Sequence, residues 1–188
     1  MTKSIRHGIV VMAFAFALPV GACAHGAMTH DPMVGGAAMY PTKNIVQNAV
    51  NSKDHTTLVA AVKAAGLVAT LESKGPFTVF APTNEAFAAL PAGTVDTLLK
   101  PANKAELVKI LTYHVVPGDY SATRLLNMIA AGHGSATVKT VEGEPLTFTR
   151  QDGHIIVTDV KGDHATVTIA NVKQSNGVIH VIDAVLMP

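Results

Sequence analysis

GPFTVFAPTNEAFAALP, residues 75–91, is the stretch on which the fold turns. Gly75 and Pro76 punctuate its entry, and residues 77–81 form a short apolar run of strand-favouring residues that predicts a buried strand. Pro82 and Thr83 end the run. The Thr83 hydroxyl suits the N-cap of a helical turn carrying Phe87 and Leu90, which Pro91 then closes. The expected product is a strand, a sharp corner and a short helix whose aromatic face folds back on the core. Thr83 and Asn84 are read as the chemistry of that corner and hence as structural.

Upstream lie two helical patterns. Thr42 is read as the cap of a helix with an apolar stripe of Ile45, Val46, Ala49 and Val50. A second helix is expected over 56–71, where Leu58, Ala61, Val62 and Ala65 follow helical spacing and Gly66 marks a break or a close backbone contact. Downstream, residues 94–100 form a short helix ended by Pro101, and Asn103 with Glu106 resembles a capping box opening the next. On that helix Leu107, Ile110, Leu111 and His114 share one face if it continues so far. Pro117 and Gly118 end the segment, and residues 121–131 supply a last helix carrying Leu125, Met128 and Ile129.

The final third changes character. Residues 136–141, 145–150, 154–160, 165–172 and 178–186 are β-branched runs separated by turn residues, with Asp152-Gly153 and Asn176-Gly177 as turn dipeptides. Helices first and a meander of strands later indicate an α+β domain. Along 178–186 both faces are apolar except for His180 on one and Asp183 on the other, which describes a central strand. His180 and Asp183 are read as structural, Asp183 as a buried acceptor for backbone amides whose loss would cost a few kcal/mol.

Three runs together resemble the fasciclin family: TVFAPTNEAF at 78–87, ILTYHVVPG at 110–118 and NGVIHVIDAVLMP at 176–188. The resemblance covers 42–188 as one copy of the domain and is similar to the short secreted bacterial and mycobacterial members. It implies a wedge-shaped β-sandwich of about seven strands with several helices packed on one side. To reach seven, residues 113–116 are taken as a strand, with Tyr113 and His114 on opposite faces.

The chain begins with Lys3, Arg6 and His7, followed by an apolar run over 9–18 too short to span a bilayer, which reads as a secretory signal over 1–23. Two cleavage readings compete. Ala22-Cys23-Ala24 suits a general signal peptidase, whereas Val20-Gly21-Ala22-Cys23 resembles a lipobox that would place a lipid on Cys23. An exported protein of periplasm, envelope or extracellular space is expected, touching membrane only through such an anchor. Cys23 is the only cysteine, so the folded part has no internal disulfide. Residues 24–41 lack periodicity and read as a flexible leader. Its His25, Met28, His30, Met33 and Met39 offer copper-type donors, yet no fixed geometry is implied and no metal site is expected.

Composition narrows the function classes. The net charge is +1 with no basic run, and tryptophan is absent, which disfavours nucleic acid. No nucleophile elbow, zinc-protease helix or phosphate loop is present; Asp159, Asp163 and His164 read as a polar turn, and neither catalysis nor a cofactor is expected.

The resemblance implies a non-catalytic adhesion or binding module for a cell-surface protein, polysaccharide or lipid. Its Tyr-His motif, linked with integrin recognition in animal members, falls on Tyr113 and His114. The residues themselves also read as a hydrogen-bonded core pair. A second functional reading is a carrier of a lipid or other small apolar ligand in a pocket between helices and sheet.

Overall fold

In chain order the computed structural model, which describes residues 31–188, begins with a ribbon of β1 (Met33–Val34) and β2 (Ala37–Ala38). Then come α1 (Ile45–Ala49), a 3-10 turn (Lys53–His55), α2 (Thr56–Ala65), α3 (Val68–Glu72) and β3 (Phe77–Pro82). The middle holds α4 (Asn84–Ala88), α5 (Thr94–Leu98), a 3-10 turn (Pro101–Asn103), α6 (Lys104–Tyr113), β4 (Val115–Pro117) and α7 (Ala122–Ala131). The strands β5 (Ser135–Lys139), β6 (Pro145–Gln151), β7 (His154–Thr158), β8 (His164–Gln174) and β9 (Gly177–Ile182) complete it. The signal and Cys23 expectations lie outside the described residues.

Of the leader expected over 24–41, residues 31–41 are part of the compact unit that runs from Asp31 to Pro188, and the rest lies outside the described residues. Gly35 and Gly36, both at positive φ, make the tight turn of the ribbon, and Val34 and Met39 are buried. Strands of two residues carry no readable periodicity, which hid them. Asn48, fully buried, holds the incoming chain by accepting from the Tyr40 amide at 3.1 Å and donating to the Tyr40 carbonyl at 2.8 Å.

The helices differ from expectation at their caps. Asn44, not Thr42, caps α1, in a reciprocal box with Gln47. The single helix expected over 56–71 is two, because Gly66 adopts the left-handed conformation that ends α2. Asn103 caps nothing: its Nδ2 donates to the Thr97 carbonyl at 2.8 Å, and the Pro101–Asn103 turn leads into α6 instead. Ser121 caps α7 as its position suggests.

The seven-stranded sheet has the order β4-β3-β9-β8-β7-β6-β5. Only β3 and β9 run parallel; every other neighbouring pair is antiparallel. β8 is long and bulged between Val167 and Val172, with Asn171 in the left-handed region, and this bend folds the sheet on itself. The edges then approach, and the Val141 amide donates to the Val115 carbonyl at 2.7 Å, giving the wedge-shaped sandwich of an α+β fold.

Two cores follow from strand alternation. Val79 and Ala81 of β3 and Ile179 and Val181 of β9 enter a helix-side core with residues of α1 to α6. Phe80 and Ile182 point the other way, into the sandwich interior with Phe148, Leu146 and Val157. The last helix is the exception to one-sided packing: Leu125 and Ile129 of α7 cover this second core.

The parallel pairing demands close backbone approach at its start. A Cβ on Gly177 would lie 2.0 Å from the Phe77 carbonyl oxygen, so any side chain there forces β9 away from β3. Gly177→Ala is expected to cost about 2–3 kcal/mol, as overpacking of a rigid site does, read as a lowered urea midpoint.

Candidate functional site

Tyr113 and His114 stand where a helix ends, not within a strand. α6 continues through Tyr113, and His114 closes it: its amide bonds back to the Ile110 and Leu111 carbonyls at 3.3 and 3.2 Å. The strand expected over 113–116 therefore starts only at Val115. Both side chains point inward, with Tyr113 0% and His114 2% exposed.

Each is saturated with partners. The Tyr113 hydroxyl donates to the Pro145 carbonyl at 3.0 Å and accepts from the Val160 amide at 3.1 Å. Burial first, with the carboxylates of Asp159, Glu144 and Glu142 adding to it, pushes the phenol up to about 12, against the Val160 amide, which lowers it. His114 Nε2 accepts from the Leu186 amide at 3.0 Å, so the ring proton sits on Nδ1, which donates to the Ile110 carbonyl at 2.9 Å. Burial lowers the imidazole to about 4. The pair thus ties α6 to the start of β6 and to the C-terminal segment, leaving no polar atom for a partner.

The other residues singled out in the sequence act as braces. Thr83 caps α4 by accepting from the Ala86 amide at 3.3 Å. Asn84 reaches across to α2, accepting from the Thr57 amide at 3.0 Å while donating to the Lys53 carbonyl at 2.7 Å. Asn84 therefore caps a helix whose own N-cap residue, His55, makes no side-chain cap. His180 is fully buried, stacks on Phe80 at 5.5 Å, and donates from Nε2 to the Tyr120 carbonyl at 2.8 Å.

Asp183 departs from expectation. β9 ends at Ile182, and Asp183 is exposed, accepting from the Thr166 amide at 2.6 Å. Water can replace that bond, so its loss costs about 1 kcal/mol, not the larger penalty of an unpaired buried group.

Two braces escaped the sequence reading. Asn176 accepts from the Ile45 amide at 3.1 Å and donates to the Leu71 and Ser73 carbonyls at 2.7 and 3.1 Å, joining the ends of two helices to the last hairpin. Asn-Gly marked a turn, yet Ser175 and Asn176 form its centre while Gly177 pairs with Gln174. Asp159 accepts from the Lys161 and Asp163 amides, both at 2.9 Å, and from the Met187 amide at 2.9 Å. No local signal pointed to a partner so far along the chain.

Among the described residues no group of three His, Cys, Asp or Glu is placed to hold a metal. Met39 of the copper-type donors is buried in the apolar core. No described helix is long and apolar enough to cross a membrane.

Among the described residues, two concavities bear on function. One is an open polar groove of about 620 Å³ whose walls include Asn44, Gln47, Glu72, Lys74, Asp119 and Lys173. The other is a small apolar cavity of about 80 Å³ between the helices and the sheet.

Tyr113→Phe removes two hydrogen bonds made by a buried hydroxyl, to the Pro145 carbonyl and from the Val160 amide, and is expected to cost about 1–2 kcal/mol by urea unfolding. The pH dependence follows from His114. Its folded value lies below the ordinary 6.5, so the unfolded chain takes up a proton that the native state refuses. The stability it contributes is complete above 6.5 and is lost as pH falls from there toward about 4. His180 and His55, also lowered by burial, act in the same direction. Moving from about pH 7 to about pH 5 is expected to cost about 2 kcal/mol through His114 alone, and His114→Gln should flatten that slope.

The geometry agrees with comparisons to known proteins. The fasciclin domain model matches residues 53–188. Protein sll1483 of Synechocystis sp. is 51% identical over 176 residues, covering 93% of this chain and 91% of that protein. Cell surface glycolipoprotein MPB83 of Mycobacterium bovis is 32% identical over 170 residues, covering 90% of this chain and 66% of that one. Among solved structures, the FAS1 domain pair of the insect cell adhesion molecule fasciclin I shares the fold with a TM-score of 0.69 at 17% identity. That match covers 78% of this chain and 51% of the domain pair. The chain belongs to the fasciclin domain family.

Proposed function

We propose that this protein is a non-catalytic extracytoplasmic binding and adhesion module that holds an envelope or cell-surface partner through the polar groove. The observation that carries the reading is the contrast between the two candidate surfaces. Tyr113 and His114 are buried and fully hydrogen-bonded, so they serve the fold. The groove is open and carries charges of both signs, Glu72 and Asp119 beside Lys74 and Lys173, all exposed.

The groove also has rigid walls. Asn176, one of its lining residues, anchors the β8–β9 hairpin to α1 and α3, so a partner meets a surface that needs little ordering on binding. Mixed charges suit a polar partner, a peptide segment of a surface protein or a polysaccharide, better than an apolar one. Export to the envelope or beyond is supported by the targeting pattern over 1–23 and by the cell-surface and cell-adhesion descriptions of the relative MPB83 and of fasciclin I.

The test is retention of the purified protein on washed cell envelopes. Reversing both groove lysines, Lys74→Glu with Lys173→Glu, is expected to reduce retention at least about tenfold at unchanged melting temperature, as lost interface charges do. Retention that survives the double reversal would refute the assignment of the groove.

A further inference from the structure

The helix-side core is not filled. Its cavity of about 80 Å³ is walled by Val34, Met39, Ile45, Leu58, Val62 and Ile179, and polar side chains reach it at few points. Most of those are spoken for: His114 uses both ring nitrogens, and the Thr112 hydroxyl donates to the Val108 carbonyl at 2.7 Å. Ser52 and His55, both lining the cavity, bond to each other through Oγ and Nδ1 at 2.9 Å.

His55 Nε2 is left over. The ring is 3% exposed, and although the Ala81 backbone lies beside it, Nε2 makes no hydrogen bond of acceptable geometry. A buried polar atom without a partner is costly and rare in native proteins. Here it belongs to a ring that lines an apolar cavity, the kind of space that stays dry and takes up small apolar molecules.

We propose that this cavity is a binding site for a compact, uncharged, mainly apolar molecule bearing one hydroxyl, which hydrogen-bonds His55 Nε2. A hydroxyl suits either ring tautomer, because it accepts when Nε2 carries the proton and donates when Nδ1 carries it. A carboxylate or ammonium group does not suit, since the charged side chain among the lining residues, Lys63, is exposed at the cavity's edge.

Size sets the rest. The space is about half that of an engineered cavity of about 150 Å³ that takes benzene, so a ligand of about three or four heavy atoms fits. Met39, unbranched and flexible, lets the wall adapt to its shape. Lys63, Thr70 and Val141 are lining residues exposed to solvent, which brings the cavity close to the surface. This site is separate from the polar groove, and neither reading depends on the other.

Propanol and xenon probe the two halves of the proposal by NMR on the purified protein. Propanol is expected to shift amides around the cavity and xenon to enter the same space. His55→Phe keeps a ring in place while removing the Nε2 bond to the alcohol and the Nδ1 bond to Ser52, and should bind propanol about tenfold more weakly while still taking up xenon. Ala49→Leu, which fills the cavity from α1, should abolish both. Propanol that leaves the cavity amides unmoved, or that binds His55→Phe as tightly as the parent while xenon uptake is retained, would overturn the assignment.

Discussion

The parallel pairing of β3 with β9, buried on both faces, is the constraint on which the rest of the structure depends. Parallel strands cannot be joined by a tight turn, so these two are brought together from Phe77 and Gly177, about a hundred residues apart in the chain. The helices lie over one face of the pair, and the remaining strands fold over the other to enclose the second core. The glycine at the start of β9 is what lets the two backbones approach there.

A layer buried on both sides cannot rely on water to satisfy polar groups. The side chains that replace water are those of the family motifs. Thr78 donates to the Gly118 carbonyl at 2.7 Å and accepts from the Tyr120 amide at 2.9 Å; His180 bonds the Tyr120 carbonyl at 2.8 Å. Asn84 and Asn176 complete helix ends that would otherwise lack partners. The motifs are therefore a hydrogen-bonding framework around the central strands, and Tyr113 and His114 belong to it. This is why binding is proposed for an exposed groove and a core cavity, and not for the Tyr-His pair.

Neutral histidine is part of that framework. His114 and His180 each accept from a backbone amide, Leu186 at 3.0 Å and Asn171 at 3.4 Å, so a protonated ring would turn a donor toward a donor. Burial and hydrogen bonding thus act together; the His114 link joins residues distant in sequence, and the His180 link lies within the β8–β9 hairpin.

The sequence by itself determined the element types, the family and the corner at residues 75–91. Apolar periodicity, β-branched runs and turn dipeptides are local signals, and β3, the Thr83 cap and the meander from β5 to β9 were all legible from them, whereas the reading of Gly66 as a break or a close contact left open that it ends α2. Tertiary structure decided what depends on distant partners. The β1–β2 ribbon was too short to show a period, and the end of α6 was set by bonds from His114 back to its own last turn, which the two following valines masked. Asp183 alternates correctly with its neighbours, yet β9 stops one residue before it and leaves it in solvent. A pocket between helices and sheet was expected, but its size and lining, and the polar groove altogether, were beyond local reading, because each is a space between segments, and a space has no sequence pattern of its own.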